Sequence, residues 1–421
     1  MKNWVWVLLI CVSVGTLLVG SVAVQADSVQ DAMVLAANKL VDDQIPVGEL
    51  EAGAWPAETG FTGSILPGLL ETYRVTCNPA YLDAAELAAE YIIGVGYPGY
   101  FYGDETYSLT RLSEFAEDPG DNYWRAVVSG FYEWIRTNEP GGTVGYIDAY
   151  YHGTTPSIAV FYMAHHVMAA YYVDAEDKAI WRDGLVRHLI EVGDDDDDLE
   201  YPVMSLGIAV WALAQTGPCL AQDTNLVKPG PGGQPYWQSV EMQDLPGLLL
   251  GHQVPDGQDY AGTFYWRFGH DGNPTSGYTE DAVYGTLGLV AADEDDPCTD
   301  YSSAICAAKA VLPQFVYVEY PGGGIVYDHL NEGVVAQYHY SGELIQALSV
   351  YKLLGDLDDS GCVNVGDLAV FASYWLATDC TYDSEDGCTC EGADLNLDGT
   401  VDLHDFAILS RHWLKCSWNC D

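Results

Sequence analysis

The sequence predicts an all-α protein: an α/α toroid of about six helical hairpins, followed by a small C-terminal calcium-binding domain. Three observations predict it. Apolar helical segments recur in pairs up to about residue 354, and the two members of a pair differ in character. The organisation changes at Gly355. Beyond that point an acidic twelve-residue loop and its following helix occur twice, 38 residues apart.

The ring is read from its elements in order. DSVQDAMVLAANKLVDD, at about 27–44, has helical periodicity. Pairs follow at about 61–76 with 79–94, 104–117 with 120–137, 155–173 with 176–192, 200–216 with 237–251, and 277–292 with 299–316. A last segment covers about 334–353. The first member of each pair is small and apolar, as in SIAVFYMAHHVMAAYY and YPVMSLGIAVWALAQ. A helix apolar nearly all round belongs inside. The second member carries more charge, as in KAIWRDGLVRHLIEV, and belongs outside with one wet face. If the first helix packs on the last, six hairpins close a ring. With GSILPGLLETYRVT and NPAYLDAAELAAEYI as its pattern, the region resembles the α/α toroid superfamily. That superfamily includes six-hairpin glycosidases, polysaccharide lyases and terpenoid cyclases. The resemblance implies a fold and leaves the chemistry open.

Bulk properties narrow the function. The chain of 421 residues is 49% hydrophobic, enough for a large core. It carries 62 acidic and 15 basic residues, a net charge of −47. This argues against nucleic acid, whose phosphates need a basic surface, and against polybasic docking on anionic lipid. Residues 1–26, MKNWVWVLLICVSVGTLLVGSVAVQA, read as a signal peptide, so the expected location is outside the cell. No other stretch is apolar and long enough to span a membrane. One of the 11 cysteines leaves with that segment; in an exported protein the rest read as disulfides. Cys416 and Cys420 are close enough to pair locally, as are Cys298 and Cys306, although connectivity cannot be derived from sequence.

Loops leading into the inner helices are the long ones: Gly96–Glu105, Gly141–Pro156, Val254–Asp281 and Tyr320–Glu343. They gather at the N-terminal ends of the inner helices, and long loops on a rigid scaffold carry function. Their chemistry is aromatic plus acid. Trp55, Tyr102, Tyr146, Tyr151, Tyr265, Trp266 and His270 are expected to bind substrate, because a sugar needs a flat apolar platform with polar rims. Asp148, His152, Arg267, Tyr278, Glu280 and Asp281 are the candidate catalytic residues. A hydrolase would pair Asp148 with Glu280 or Asp281 as two carboxyls. A lyase would use Tyr278 or His152 as base and Arg267 to neutralise a uronate. His165 and His166, adjacent within an inner helix, read as packing. The Asp run in GDDDDDLE (Gly193–Glu200) reads as a solvated loop and helix N-terminal charge.

The C-terminal repeat carries the sharpest motif. Calcium loops place oxygen ligands at positions 1, 3, 5, 7, 9 and 12, with Gly at 6. DLNLDGTVDLHD supplies Asp394, Asn396, Asp398, Thr400, Asp402 and Asp405, with Gly399 at the turn. DLDDSGCVNVGD supplies Asp356, Asp358, Ser360, Cys362, Asn364 and Asp367, with Gly361. Thr400 and Cys362 would ligate by their carbonyls. The matching helices VGDLAVFASYWL and LHDFAILSRHWL, with Asp at position 12, make the unit over 355–421 similar to the dockerin domain. That resemblance implies two Ca²⁺ ions and a cohesin-like partner. Positions 10 and 11, which that family uses in partner choice, are Val365/Gly366 and Leu403/His404 here. The expected function is therefore a secreted carbohydrate-active protein, hydrolase or lyase, acting on a polysaccharide or oligosaccharide and attached through a calcium-dependent dockerin. The alternative is a non-catalytic scaffold using the same face to bind a glycan or protein.

Overall fold

The computed structural model describes residues 28–96, 100–115, 122–193, 200–227, 237, 240–268, 276–296, 299–320, 322–330, 335–358, 360–380, 382–383, 387–416 and 420. The signal segment, the five-Asp run and His270 lie outside them. The first unit holds α1 (Val29–Asp43), α2 (Thr62–Thr76), α3 (Pro79–Gly96), α4 (Gly103–Leu112), α5 (Tyr123–Asn138), α6 (Gly142–Tyr150) and α7 (Pro156–Tyr172). It continues with α8 (Lys178–Leu189), α9 (Pro202–Gln215), α10 (Leu245–Leu250), α11 (Thr279–Asp295), α12 (Ser302–Val311) and α13 (Tyr338–Ser349). α14 (Val365–Ser373) and α15 (Leu403–Arg411) belong to the C-terminal unit.

Six helices close a ring. α2 packs on α4, α4 on α7, α7 on α9, α9 on α11, α11 on α13, and α13 back on α2. Outside them, α3 covers α2, α5 covers α4, α8 covers α7, α10 lies against α9 and α11, α12 covers α11, and α1 covers α13. Hydropathy decides which is which. α9 is buried without a break from Pro202 to Leu213, whereas α5 buries the stripe Val127, Val128, Phe131, Tyr132 and Ile135. Glycine closes the seam. A Cβ on Gly68 of α2 would lie 2.6 Å from the Gly342 carbonyl oxygen of α13, and one on Gly342 would lie 2.5 Å from the Ile65 Cα. Gly207 of α9 makes the same close approach to the Tyr284 backbone of α11. Among the described residues no helix is long and apolar enough to cross a membrane.

Three departures from the expected elements have physical reasons. α6 forms inside the predicted loop after Gly141, because Thr143, Tyr146 and Ile147 fall on one face and are buried. The helix expected over 237–251 is reduced to α10; Val240–Glu241 pairs instead with Leu226–Val227 as a short antiparallel ladder, β1 (Leu226–Val227) with β2 (Val240–Glu241). Val316–Tyr320 (β3) leaves the end of the α12 segment and pairs antiparallel with Gly323–Val326 (β4), since Val, Tyr and Val alternate there before a glycine turn. A third short pair, β5 (Tyr382–Asp383) and β6 (Gly387–Cys388), lies in the C-terminal unit.

The disulfides correct the local pairings. Cys306 of α12 bonds Cys420, Cys362 bonds Cys416, and Cys380 bonds Cys390. Cys362 and Cys416 face each other across an antiparallel bridge, so they meet in space although 54 residues apart. Cys219 is a free thiol. Two hydrophobic cores result, one running from Ala32 to Tyr351 and a smaller one built on Val363, Phe371, Leu395, Val401 and Leu409.

Candidate functional site

The inner helices run in the same direction, as the contacts at both ends require. At the N-terminal end Ser64 of α2 reaches Asp104 of α4; at the C-terminal end Glu71 of α2 reaches Arg111 of α4. The N-terminal end therefore collects whatever opens each helix, and five of them have an acid at or near the opening, buried Glu200 before α9 among them. Asp104 and Glu105 begin α4, Glu280 and Asp281 begin α11, Glu343 lies one turn into α13, and Glu58 precedes α2.

Burial dominates the electrostatics of this cluster. Asp104 is 2% exposed; its Oδ2 accepts from the Ser64 hydroxyl at 3.1 Å, and its Oδ1 has no partner. Burial pushes its carboxyl up to about 6, against the pull of Ser64, two backbone amides and His339. Glu105 accepts from the Tyr102 amide at 2.8 Å, closing the cap of α4; burial and then the charge of Asp104 push it up to about 8. Asp281 and Glu343 are held well above the usual carboxylate range, by burial first and by Glu280 second. Asp281 Oδ1 and Glu343 Oε2 also lack partners. Glu280 is half-buried, and burial raises it while the nearby His339 opposes the rise. Glu58 accepts from the amides of Tyr338 (2.9 Å) and His339 (3.1 Å) and from His339 Nδ1 (2.9 Å). The His339 ring stacks on Phe61, centroids 4.5 Å apart. A tyrosine wall surrounds the acids. Tyr102 and Tyr162 stack at 4.9 Å, and burial and the acids raise Tyr162, Tyr201, Tyr284 and Tyr340.

The structure places the expected residues unevenly. Glu280 and Asp281 open α11 at the centre of this cluster, with Tyr278 as its N-terminal cap residue and the Tyr278 ring 4.9 Å from that of His329. Tyr102 lies on the wall. Asp148 is exposed on α6 and ion-paired with Arg187 of α8 at 2.9 Å, so it answers to a different neighbour from Glu280, which feels His339 and Asp328. His152 is exposed in the turn after α6. Arg267 lies over the Trp266 ring, 4.2 Å from its centroid; the Trp266 carbonyl accepts from Val203 at the start of α9. Four expected platforms have no face to offer. Trp55 is fully buried and donates its indole N–H to Leu40 at 2.8 Å; Tyr146 is buried with its hydroxyl donating to the Phe101 carbonyl. Tyr151 is buried with its hydroxyl 2.9 Å from His166 Nε2, and Tyr265 is buried, donating to Gln258 at 2.6 Å. These rings wedge loops onto the barrel. His165 and His166 are buried in the packing, as their place in an apolar helix predicts, and burial lowers them to about 4 and 3. Sequence reasoning missed Asp104, Glu105, Glu343, Glu58 and His339. Its signal for Glu280 and Asp281, acid in the first turn of an apolar helix, is also present in GDETYS and YHYSGEL.

The opposite end of the ring holds a cavity of about 1700 Å³ between the C-terminal ends of the inner helices and the C-terminal unit. Among its acids, Glu71 and Glu114 are paired. Glu71 meets Arg111 at 2.6 Å and Arg74 at 3.3 Å, and Glu114 meets Arg111 at 2.5 Å and Arg74 at 3.1 Å. Burial works against Glu71, but the two guanidiniums hold it below the usual carboxylate range. A neutralised network of this kind is structural.

The calcium loops fold alike. The first carboxylate of each, Asp356 or Asp394, accepts from the amides of positions 5 and 6: Ser360 (2.9 Å) and Gly361 (2.8 Å), Asp398 (3.1 Å) and Gly399 (2.8 Å). The last, Asp367 or Asp405, is fully buried and accepts from the amides of positions 2, 3 and 9. Gly361 and Gly399 take φ of +82° and +88°. Asn364 and Asp402, at position 9, each cap the following helix. Val363 exchanges backbone bonds with Leu414 and Lys415, and Val401 with Leu376 and Ala377, which relates the two halves by an approximate two-fold. The donor set fits calcium. Asp356, Asp358 and Asp367 offer oxygens within 4.8 Å of one another, and the Cys362 carbonyl, accepting from Asn364 Nδ2 and Ser360 Oγ, turns into the loop. In the second loop burial, Asp405 and Asp398 push Asp394 up to about 6, a repulsion a dication would relieve. Asn396 and Thr400 there donate to Asp398.

Comparison with known proteins adds the following. Among curated proteins none matches this sequence. Among solved structures, unsaturated glucuronyl hydrolase from Bacillus sp. GL1, described as responsible for the degradation of glycosaminoglycan, is similar with a TM-score of 0.49. It is 12% identical and covers 76% of this chain and 94% of its own. Residues 354–414, the segment that carries both loop–helix repeats, match the dockerin type I domain.

Proposed function

We propose that this chain is a secreted glycoside hydrolase that works at the N-terminal mouth of the toroid and is attached through its dockerin. One observation carries the reading: Asp104, Glu280, Asp281 and Glu343, from three inner helices, converge there, and Asp104, Asp281 and Glu343 carry buried oxygens that lack partners. Glycoside hydrolysis needs one carboxyl that keeps its proton near neutral pH and one that is ionised. Asp104, at about 6, suits the general acid. Glu280, half-buried and favoured in its charged form by His339, suits the base or nucleophile. Asp281 and Glu343, kept neutral by burial, suit hydrogen bonds to sugar oxygens. Tyr102 and Tyr340 supply ring faces on the wall, and Tyr278, Trp266 and Arg267 lie toward the rim. A lyase would require a base and a cation beside a uronate, and the carboxylates favour hydrolysis instead.

In the dockerin, Asp356, Asp358, Ser360, the Cys362 carbonyl, Asn364 and Asp367 would hold one Ca²⁺. Asp394, Asn396, Asp398, the Thr400 carbonyl, Asp402 and Asp405 would hold a second. Bound calcium supplies the charge that lets these acids lie together. Dockerin domains bind cohesins, and the exposed Val365, Leu403, Trp375 and Trp413 offer apolar surface for a cohesin-like partner. The test incubates the purified chain with a panel of polysaccharides and follows reducing ends and the absorbance of unsaturated uronates. Reducing ends without that absorbance, lost in Asp104→Asn and Glu280→Gln, are expected. Neither signal on any glycan would reject catalysis in favour of a glycan-binding scaffold.

A further inference from the structure

We infer that the mouth of the ring selects a non-anionic saccharide, a neutral or amino sugar, and excludes uronate- and sulfate-bearing glycans. The inference rests on the proposed use of this mouth for a sugar, and it follows from what the mouth lacks as a binding surface among the described residues.

Three buried carboxyl oxygens, Asp104 Oδ1, Asp281 Oδ1 and Glu343 Oε2, have no partner. Their residues are 2%, 3% and 1% exposed, so bulk water does not serve them. A buried polar atom left unpaired is costly, and a ligand that supplies its partner gains that energy. Sugar hydroxyls both donate and accept, so they serve a carboxyl oxygen whether or not it carries the proton; an ammonium only donates, and a uronate carboxylate or a sulfate only accepts. Around these atoms stand more acids. Glu58, Glu105, Glu280 and Asp328 lie at the same end, and each of Glu343, Asp281 and Glu105 is raised by a neighbouring acid.

Positive charge does not offset them. His339 is the basic side chain that acts on Asp104 and Glu280, and Glu58 already holds it at 2.9 Å. Arg267 lies over the Trp266 indole, 4.2 Å from its centroid. Arg74 and Arg111 are at the far end of the ring, neutralised by Glu71 and Glu114. An anionic sugar would meet Glu280, favoured in its charged form by His339, and the field of a chain of net charge −47. An amino sugar would meet the opposite.

The test measures equilibrium binding of three oligosaccharides of equal length to the full chain with calcium, by titration calorimetry at two ionic strengths. The probes are a glucose tetramer, a glucosamine tetramer and a galacturonate tetramer. The first two are expected to bind at least about tenfold tighter than the third, with salt weakening the glucosamine tetramer most. Glu280→Gln should narrow the gap by improving the galacturonate tetramer. The ranking is read on the unaltered chain, so misfolding of the variant does not obscure it. Galacturonate binding as tight as the others would overturn the inference, and so would the absence of binding by all three. The expected ranking in a protein that hydrolyses nothing on the panel would support the inference while rejecting the enzymatic reading.

Discussion

At Asp104 burial and hydrogen bonding pull in opposite directions, and burial wins. Its folded value of about 6 lies above its ordinary 3.8, so folding favours the protonated form. The associated stability is fully present below pH about 4 and is lost as pH rises through 6. Asp104→Asn should therefore stabilise the chain by on the order of 2 kcal/mol at pH 8 and leave it unchanged at pH 4, as read from denaturant titrations at the two pH values. A loss of stability at pH 8 would show that the carboxylate is held by an attraction instead. The same balance explains which site residues were legible. Glu280 and Asp281 were visible as acid opening an apolar helix. Trp55 and Tyr151 were misjudged, because a ring in a polar loop looks the same whether its hydroxyl or N–H meets water, a sugar, or Leu40 and His166 inside the barrel.

Among the elements, α2 and α13 close the ring through Gly68 and Gly342. Gly342→Ala forces a Cβ into the Ile65 backbone 2.5 Å away, where no flexible side chain can yield. It should cost at least about 2 kcal/mol, seen as a lower melting temperature of the toroid, with calcium binding by the dockerin unchanged. The acidic loops of the C-terminal unit are expected to behave differently, since the proposed calcium would tie their stability to ligand. Chelation with EDTA should lower the melting temperature of the C-terminal unit, because an ion that binds only the folded loop stabilises it. Asp394→Ala should abolish more of that shift than Ser360→Ala, since Asp394 also holds the amides of Asp398 and Gly399 while Ser360 is exposed. Helix positions were readable because period 3.6 in apolar residues is a local signal. α6 was not, because its glycines favour a loop and only burial of Tyr146 and Ile147 makes it a helix.

Across the whole molecule, the Cys306–Cys420 bond ties the last residues of the dockerin to α12 of the toroid over a separation of 114 residues. Cross-links that close long loops remove much unfolded-state entropy, about 5 kcal/mol for a loop near this length. Cys306→Ser should lower the stability of the C-terminal unit by a few kcal/mol and turn a shared calorimetric transition into two. A single unchanged transition would mean that the two cores are coupled by other contacts. The acidic balance of the chain also acts at this scale, since it sets the field an approaching glycan meets.

The sequence by itself determined most of the helices, their pairing into a ring, the inner and outer roles and the duplicated acidic loop–helix unit. Each of these is written in local periodicity or in fixed spacing along the chain. The tertiary structure decided which acids meet, which aromatics are buried and which cysteines bond. Asp104, Glu280 and Glu343 belong to three helices that are distant in sequence and share only the end of a ring. Their proximity, and the shift in their proton affinity that follows from burial, exists only once the ring is closed.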